Sequence, residues 1–232
     1  EWTLNQGRSR LTGEQLGLPT KDARHFASFE ELKETFFEQV RHIMKHCAVS
    51  TIIEQKLHQE MVPRPYLSLL VEGCLESGKD LVDGGARYNV GPGWIVVGAA
   101  DCANGLAAIR KNVFEENKIT MDQLLKALDD DFVGHEEIHQ QLRKSPKFGN
   151  DDDTVDRLVV EMTDFNDRGL SQYKDVLGQP FHSAIMGLTY NIPTGAVVGA
   201  LPCGRKAGEP LAEGCSPHPG TDVSGPTATM RS

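Results

Sequence analysis

The sequence has 232 residues, 39% apolar and 25% charged, enough to bury a sizeable core in one large domain or two small ones. Its formal net charge is −9 with no Lys/Arg cluster, which argues against a nucleic-acid partner, because neutralising phosphates takes basic patches. No apolar run approaches bilayer length, and the five cysteines are scattered, odd in number and without a C-x-x-C, so a membrane span, a disulfide framework and a zinc knuckle are all set aside.

The chain opens at Glu1 with no signal peptide and stops at "GPTATMRS", which reads as a piece of something longer. Residues 1–27 are polar and irregular. Ser28-Phe29-Glu30-Glu31 then forms a capping box, a Ser cap with Glu three residues on. Behind it Phe29, Leu32, Phe36, Val40, Ile43 and Cys47 recur at steps of three and four, so a helix is predicted that continues to about Met61, before Pro63 and Pro65. "DGGARYNVGPGW" is too rich in glycine for a regular element. The apolar stretch "WIVVGAADCANGLAAI" is interrupted by Asp101 and Asn104, and a helix is predicted over 99–116.

Thr120-x-x-Gln123 is a second capping box and starts a helix from Met121 to about Phe132. "GHEEIHQQLRK" follows, and another helix is expected near Asp153–Asn166. "HSAIMGLTYNI" changes period: Ala184, Met186, Leu188, Tyr190 and Ile192 alternate with Ser183, Gly187, Thr189 and Asn191, as on a strand with one apolar face. From Pro193 onward the chain is Gly/Pro turns, an unusually long loop of the kind that often carries function.

Several motifs invite chemistry. His135-Glu136-Glu137-Ile138-His139 fits H-E-x-x-H, whose two His could grip Zn²⁺ from one helix face with the Glu as base. Zinc needs a third protein ligand, and the extended pattern meets Leu142 and Ser145 where it requires Gly and His. Glu161 is the nearest downstream alternative, and Glu137, Gln140, Gln141, Arg143 and Lys144 read as a solvated face. No metal site is therefore expected, and a zinc hydrolase is the remote alternative. His42 and His46 read as flanks of an amphipathic helix.

Asn150-Asp151-Asp152-Asp153 could offer oxygen ligands to a hard cation, but it lacks the spaced ligands of a calcium loop and suits a helix N-terminus better. "GGARYNVGPG" has neither G-x-G-x-x-G nor a Gly-Lys-Ser/Thr ending and reads as a tight loop. Cys74 alone is more readily a small buried hydrophobe than a nucleophile.

Several blocks, in order along the chain, resemble the glycyl radical enzymes, the family of pyruvate formate-lyase and its dehydratase and lyase relatives. They are "GKDLVDGGARYN" (78–89), "ADCANGLAAIRKNVFEE" (100–116), "PKFGNDDD" (146–153), "NIPTGAVVGALPCGRKAGEPLAEGCSPHPGTD" (191–222) and "GPTA" (225–228). The opening "TLNQGRSRLTGEQLG" is similar to the segment that follows the family's catalytic cysteine loop.

The resemblance implies an α/β fold: part of a ten-stranded α/β barrel wrapped by helices, with helices in the first two-thirds and strand and Gly/Pro loops at the end. Residues 1–232 would be an internal portion of one pyruvate formate-lyase-type domain. In such enzymes an activating enzyme that uses S-adenosylmethionine and an iron–sulfur cluster removes a hydrogen atom from a Gly, the Gly radical makes a thiyl radical on a Cys, and the thiyl takes a hydrogen atom from the substrate. Such chemistry has to be buried and pre-positioned.

The family's Gly-Cys-x-Glu loop would precede Glu1 and its Arg-Val-x-Gly loop would follow Ser232, so no catalytic residue and no bound cofactor is expected in this chain. Cys74-Leu75-Glu76 mimics the first loop, but the block that follows it matches a later family segment with an unreactive Cys. Counting back from the Asn191–Gly195 turn, Met186 and Leu188 resemble the positions that face the substrate, on an apolar wall without a cation; plain core packing is the alternative, since any barrel interior presents an apolar strand face.

The "GALPCGRKAGEPL" style resembles the dehydratase/lyase branch: radical C–C, C–N, C–S or C–O cleavage on a small molecule. Pyruvate formate-lyase proper and an inert scaffold piece stand as alternatives. The implied partners are a small-molecule substrate, the activating enzyme and a second copy of the full-length protein, in the cytoplasm.

Overall fold

The computed structural model describes all 232 residues, Glu1–Ser232. They form two compact units: Glu1–Gln39 with Ile95–Asp164 and Ile185–Ser232, and Val40–Trp94 with Phe165–Ala184. Helix α1, Phe29–Met61, contributes residues to both. Its start follows the sequence pattern in part. Ser28 Oγ accepts from Glu31 N at 3.2 Å, but the Glu31 carboxylate takes the N–H of Ala27 (2.9 Å) instead of returning to the cap residue. Gln39 pins the irregular opening to this helix, accepting from Leu18 N and donating to Leu18 O.

The core of the first unit is built around α4, Ala99–Ile109. Ala100, Ala103, Ala107 and Ala108 are all buried, and their small side chains let neighbouring elements approach closely. Around them lie Leu124 of α5 (Met121–Asp129), Leu142 of α6 (Glu136–Arg143) and Val155, Leu158 and Met162 of α7 (Asp153–Leu170). Thr120 and Gln123 close the capping box reciprocally, as their spacing predicts. Helix α5 stops short of Phe132 because Asp131 and Phe132 both take positive φ (48° and 63°), which turns the chain out of the helix.

The single helix expected over 99–116 is instead α4 followed by a π-helical segment, Arg110–Glu115. Buried Asn112 supplies the reason. Its side-chain amide donates to Ala108 O (2.8 Å), the acceptor that its own N–H would use in an α-helix, and also to Ser145 Oγ (2.8 Å).

In the second unit the later part of α1 packs Met44 and Ala48 against Leu170 and Phe181. The short helices α2 (Pro65–Ser68) and α3 (Cys74–Ser77) follow, then β1 (Gly93–Ile95), which pairs with β2 (His182–Ala184) in a two-stranded sheet. No further strands are present, so the ten-stranded barrel is not visible in this chain; the strands are short and the architecture is helix-rich. No helix is long and apolar enough to cross a membrane.

The strand read over 183–192 is a correction. Pairing ends at Ala184, and residues 191–197 form helix α8. Alternation is present in the sequence, but the third residue of α8 is Pro193, whose fixed φ suits a first helical turn and whose missing N–H ill suits a ladder. The last element is α9, Pro226–Arg231.

Candidate functional site

After β2 the chain runs without strand pairing through Leu188, turns at Thr189–Tyr190 and enters α8. Two contacts fix the far end. Asn191 O accepts from Leu211 N (3.1 Å), and Asn191 Nδ2 donates to Leu211 O (3.2 Å). Gly195 lies so close to residues 209–211 that an added Cβ would overlap the Glu209 carbonyl, so no side chain fits there.

Met186 is held from the main chain: a Cβ placed on Gly214 would meet its carbonyl oxygen at 2.7 Å. The Met186 side chain is 50% exposed and Leu188 is half-buried. Tyr190 and Ile192 are also exposed, whereas Ala184, like Leu188, is half-buried, so the apolar row read from the sequence is only partly covered here.

Arg205 organises the loop that follows α8. Its guanidinium, 2% exposed, donates only to main-chain carbonyls: Nη2 to Gly195 O (2.7 Å) and Glu209 O, Nη1 to Gly199 O (2.9 Å) and Val198 O (3.3 Å), and Nε to Pro210 O (3.3 Å). One planar cation thus ties 195–199 to 209–210. The Gly-Arg-Lys-Ala-Gly-Glu-Pro-Leu block is, in this chain, the scaffold of a loop.

Beside it sits a buried polar cluster. Asp101 accepts from Ala212 N (2.6 Å) and contacts His218 Nδ1 (2.8 Å). Burial pushes the neighbouring Cys203 thiol up to about 12, with the Asp101 charge adding to the effect. Burial also brings the Lys147 ammonium down to about 8. Sequence reasoning misses this cluster. Asp101 and Asn104 stand in the sequence only as interruptions of an apolar run, and that is the available signal: a polar residue on an otherwise buried helix needs a partner from elsewhere.

The remaining motifs disperse. His135 precedes α6 and contacts Asp130 Oδ2 (2.9 Å), whereas His139 Nε2 contacts Gly204 O (2.8 Å) and its ring stacks on Phe132. Glu161 pairs with Lys33 at 3.1 Å. The H-E-x-x-H nitrogens are thus engaged separately. His42 and His46 meet edge to face, their ring centroids 4.4 Å apart.

Asp152 accepts from Thr154 N (2.9 Å) at the start of α7, and Asn150 ties this corner to Thr221, Val223 and Ser224. Cys74 is buried at the start of α3, and the Glu76 carboxylate is spent on Gly73 N (3.0 Å), whose residue takes φ 99°.

Comparison with known proteins adds identity to this geometry. A family model described as "Pyruvate formate lyase-like" matches residues 1–195. The chain is 38% identical over 240 residues to trans-4-hydroxy-L-proline dehydratase of Clostridioides difficile, covering 100% of this chain and 29% of that protein.

Among solved structures it superposes on the B12-independent glycerol dehydratase of Clostridium butyricum with a TM-score of 0.93 and 39% identity, over 99% of this chain and 29% of that one. A glycyl radical enzyme of Archaeoglobus fulgidus gives 0.90 and 36%, again over 99% and 29%. The chain therefore spans somewhat under a third of the length of the relatives it matches.

Proposed function

The chain belongs to the pyruvate formate lyase-like family, and on that premise we propose that it is an internal portion of a glycyl radical enzyme of the dehydratase/lyase branch. The carrying observation is that likeness to dehydratases runs along the whole chain, through the Arg205-centred loop to the end. The full-length protein cleaves a C–O, C–N, C–S or C–C bond of a small organic substrate. Residues 1–232 belong to one pyruvate formate-lyase-type domain, and polypeptide beyond them completes the ten-stranded barrel.

Neither radical-bearing loop lies in these residues, so the chain supplies wall and scaffold. A radical on the protein's Gly, installed by an S-adenosylmethionine/iron–sulfur activating enzyme, provides the reactive species. The full-length protein is a cytoplasmic homodimer. All five cysteines being free fits a reducing compartment.

Met186 and Leu188 face the substrate. The support is their place on the unpaired segment leading into α8, with Met186 half exposed. An apolar wall without a cation disfavours a substrate anion clamped at this point, because a desolvated anion needs a charged or hydrogen-bonding partner.

The test is Met186→Ala and Leu188→Ala in the full-length enzyme, reading kcat/KM for several small substrates beside glycyl radical yield. Normal radical yield with altered substrate preference is expected. Unchanged kinetics, or misfolding without altered preference, returns both residues to core packing.

A further inference from the structure

A second feature of the first unit is independent of the substrate wall. A cavity of about 910 Å³ opens between the α6–α7 connection and the loops at 203–210 and 218–224. Its lining is cationic in a chain that is acidic as a whole: Arg143, Lys144, Lys147, Arg205 and Lys206 against Asp152 and Glu209. Both acids are already engaged with main-chain donors. Asp152 accepts from Thr154 N, and Glu209 Oε2 accepts from Lys206 N at 3.0 Å.

Two of the cations are buried, Lys147 at 9% exposed and Arg205 at 2%. Lys147 Nζ donates to Leu142 O (2.8 Å) and Ser145 O (2.9 Å), and Arg205 donates only to carbonyls, so neither meets a carboxylate. Buried charge is ordinarily paired as well as hydrogen-bonded, because carbonyl dipoles offset only part of the lost hydration. Two such cations in the lining of one cavity leave a positive field that a surface pair would not.

The third element is Asn104. It is fully buried and lines the cavity. Its Oδ1 accepts from Phe148 N (2.7 Å), which fixes the orientation of the amide, and its Nδ2 then has no partner. An orphaned buried donor is costly, so a cavity whose lining holds one together with two cations that meet no carboxylate is set up for an acceptor that carries negative charge.

We propose that this cavity binds a carboxylate, taken by Asn104 Nδ2 and the remaining Nζ–H of Lys147 in the field of Arg205. The carboxylate belongs either to a small organic acid or to an Asp or Glu of polypeptide outside these residues.

The test uses the full-length protein, in wild-type form and as Asn104→Asp. The variant keeps an acceptor for Phe148 N and replaces the orphaned donor with a carboxylate. For a small organic acid, exchanging chloride for acetate at fixed ionic strength raises the wild-type Tm by about 2 °C or more, and the rise is absent in the variant.

For a carboxylate supplied by the polypeptide, acetate has no effect. The variant then crowds two like charges, so its stability relative to wild type improves as pH falls. Acetate without effect together with a variant that loses relative stability on acidification overturns the proposal, because the introduced carboxylate would then be the only anion facing the cations.

If Asn104→Asp does not fold, Lys147→Met answers the same question. It loses the acetate response if the acid is free, and is relieved by acid if the anion is internal. A variant with neither behaviour overturns the proposal.

Discussion

Lys147 shows how one residue carries a pH dependence whose sign can be fixed beforehand. Burial lowers its folded-state value from 10.5 to about 8. Across that window the unfolded chain holds a proton that the folded chain has released, so stability rises with pH. For the 232-residue chain in carboxylate-free buffer, wild type should gain on Lys147→Met between about pH 8 and 10.5, by at most roughly 3 kcal/mol. Urea denaturation at several pH values measures it, and a difference that does not change with pH contradicts it.

Cys203 gives a second residue-scale expectation. With its thiol pushed up to about 12, it should resist iodoacetamide at pH 8 while exposed Cys215 is alkylated, as mass spectrometry of the digested protein would show. Arg205→Lys should cost about 3 kcal/mol in denaturant unfolding, since an ammonium cannot span carbonyls on both sides of the loop.

At the scale of elements, local signals held where local forces decide. The Ser28 and Thr120 caps and the early periodicity of α1 were all legible, because an N-cap and a 3.6-residue stripe are written within a few residues. The π-helical segment at 110–115 was not, since it depends on Asn112 reaching Ser145, 33 residues away.

The 183–192 segment failed in the other direction. Its alternation was real, but a strand also needs a partner edge, and pairing stops at Ala184. Asn112→Ala should restore α-helical hydrogen bonding at Ala108 and remove the donor to Ser145 Oγ, which keeps its own bond to Gln141 O. A net loss of about 1–2 kcal/mol is expected, and amide exchange at residues 110–115 would report the change of register.

For the whole molecule, sequence resemblance carried further than any pattern of periodicity. Blocks spread from residue 78 to residue 228 are individually ambiguous, and the structure gives several of them separate local duties: the Arg205 loop, the Asn150 corner and the Asp101–His218 contact. What the sequence could not show was that Asn150, Arg205 and His218 line one cavity, because that depends on which carbonyls and amides face each other after folding. The many exposed apolar side chains, among them Met186, Tyr190 and Ile192, fit a chain whose relatives are more than three times as long.

The central claim, that these residues are the scaffold of a radical enzyme and not its radical centre, is tested most directly by electron paramagnetic resonance. The 232-residue chain and the full-length protein would each be incubated anaerobically with the activating enzyme and S-adenosylmethionine. A glycyl radical signal is expected from the full-length protein and none from the chain alone. A signal localised to any glycine of the chain, or none from a folded full-length protein, would contradict the account.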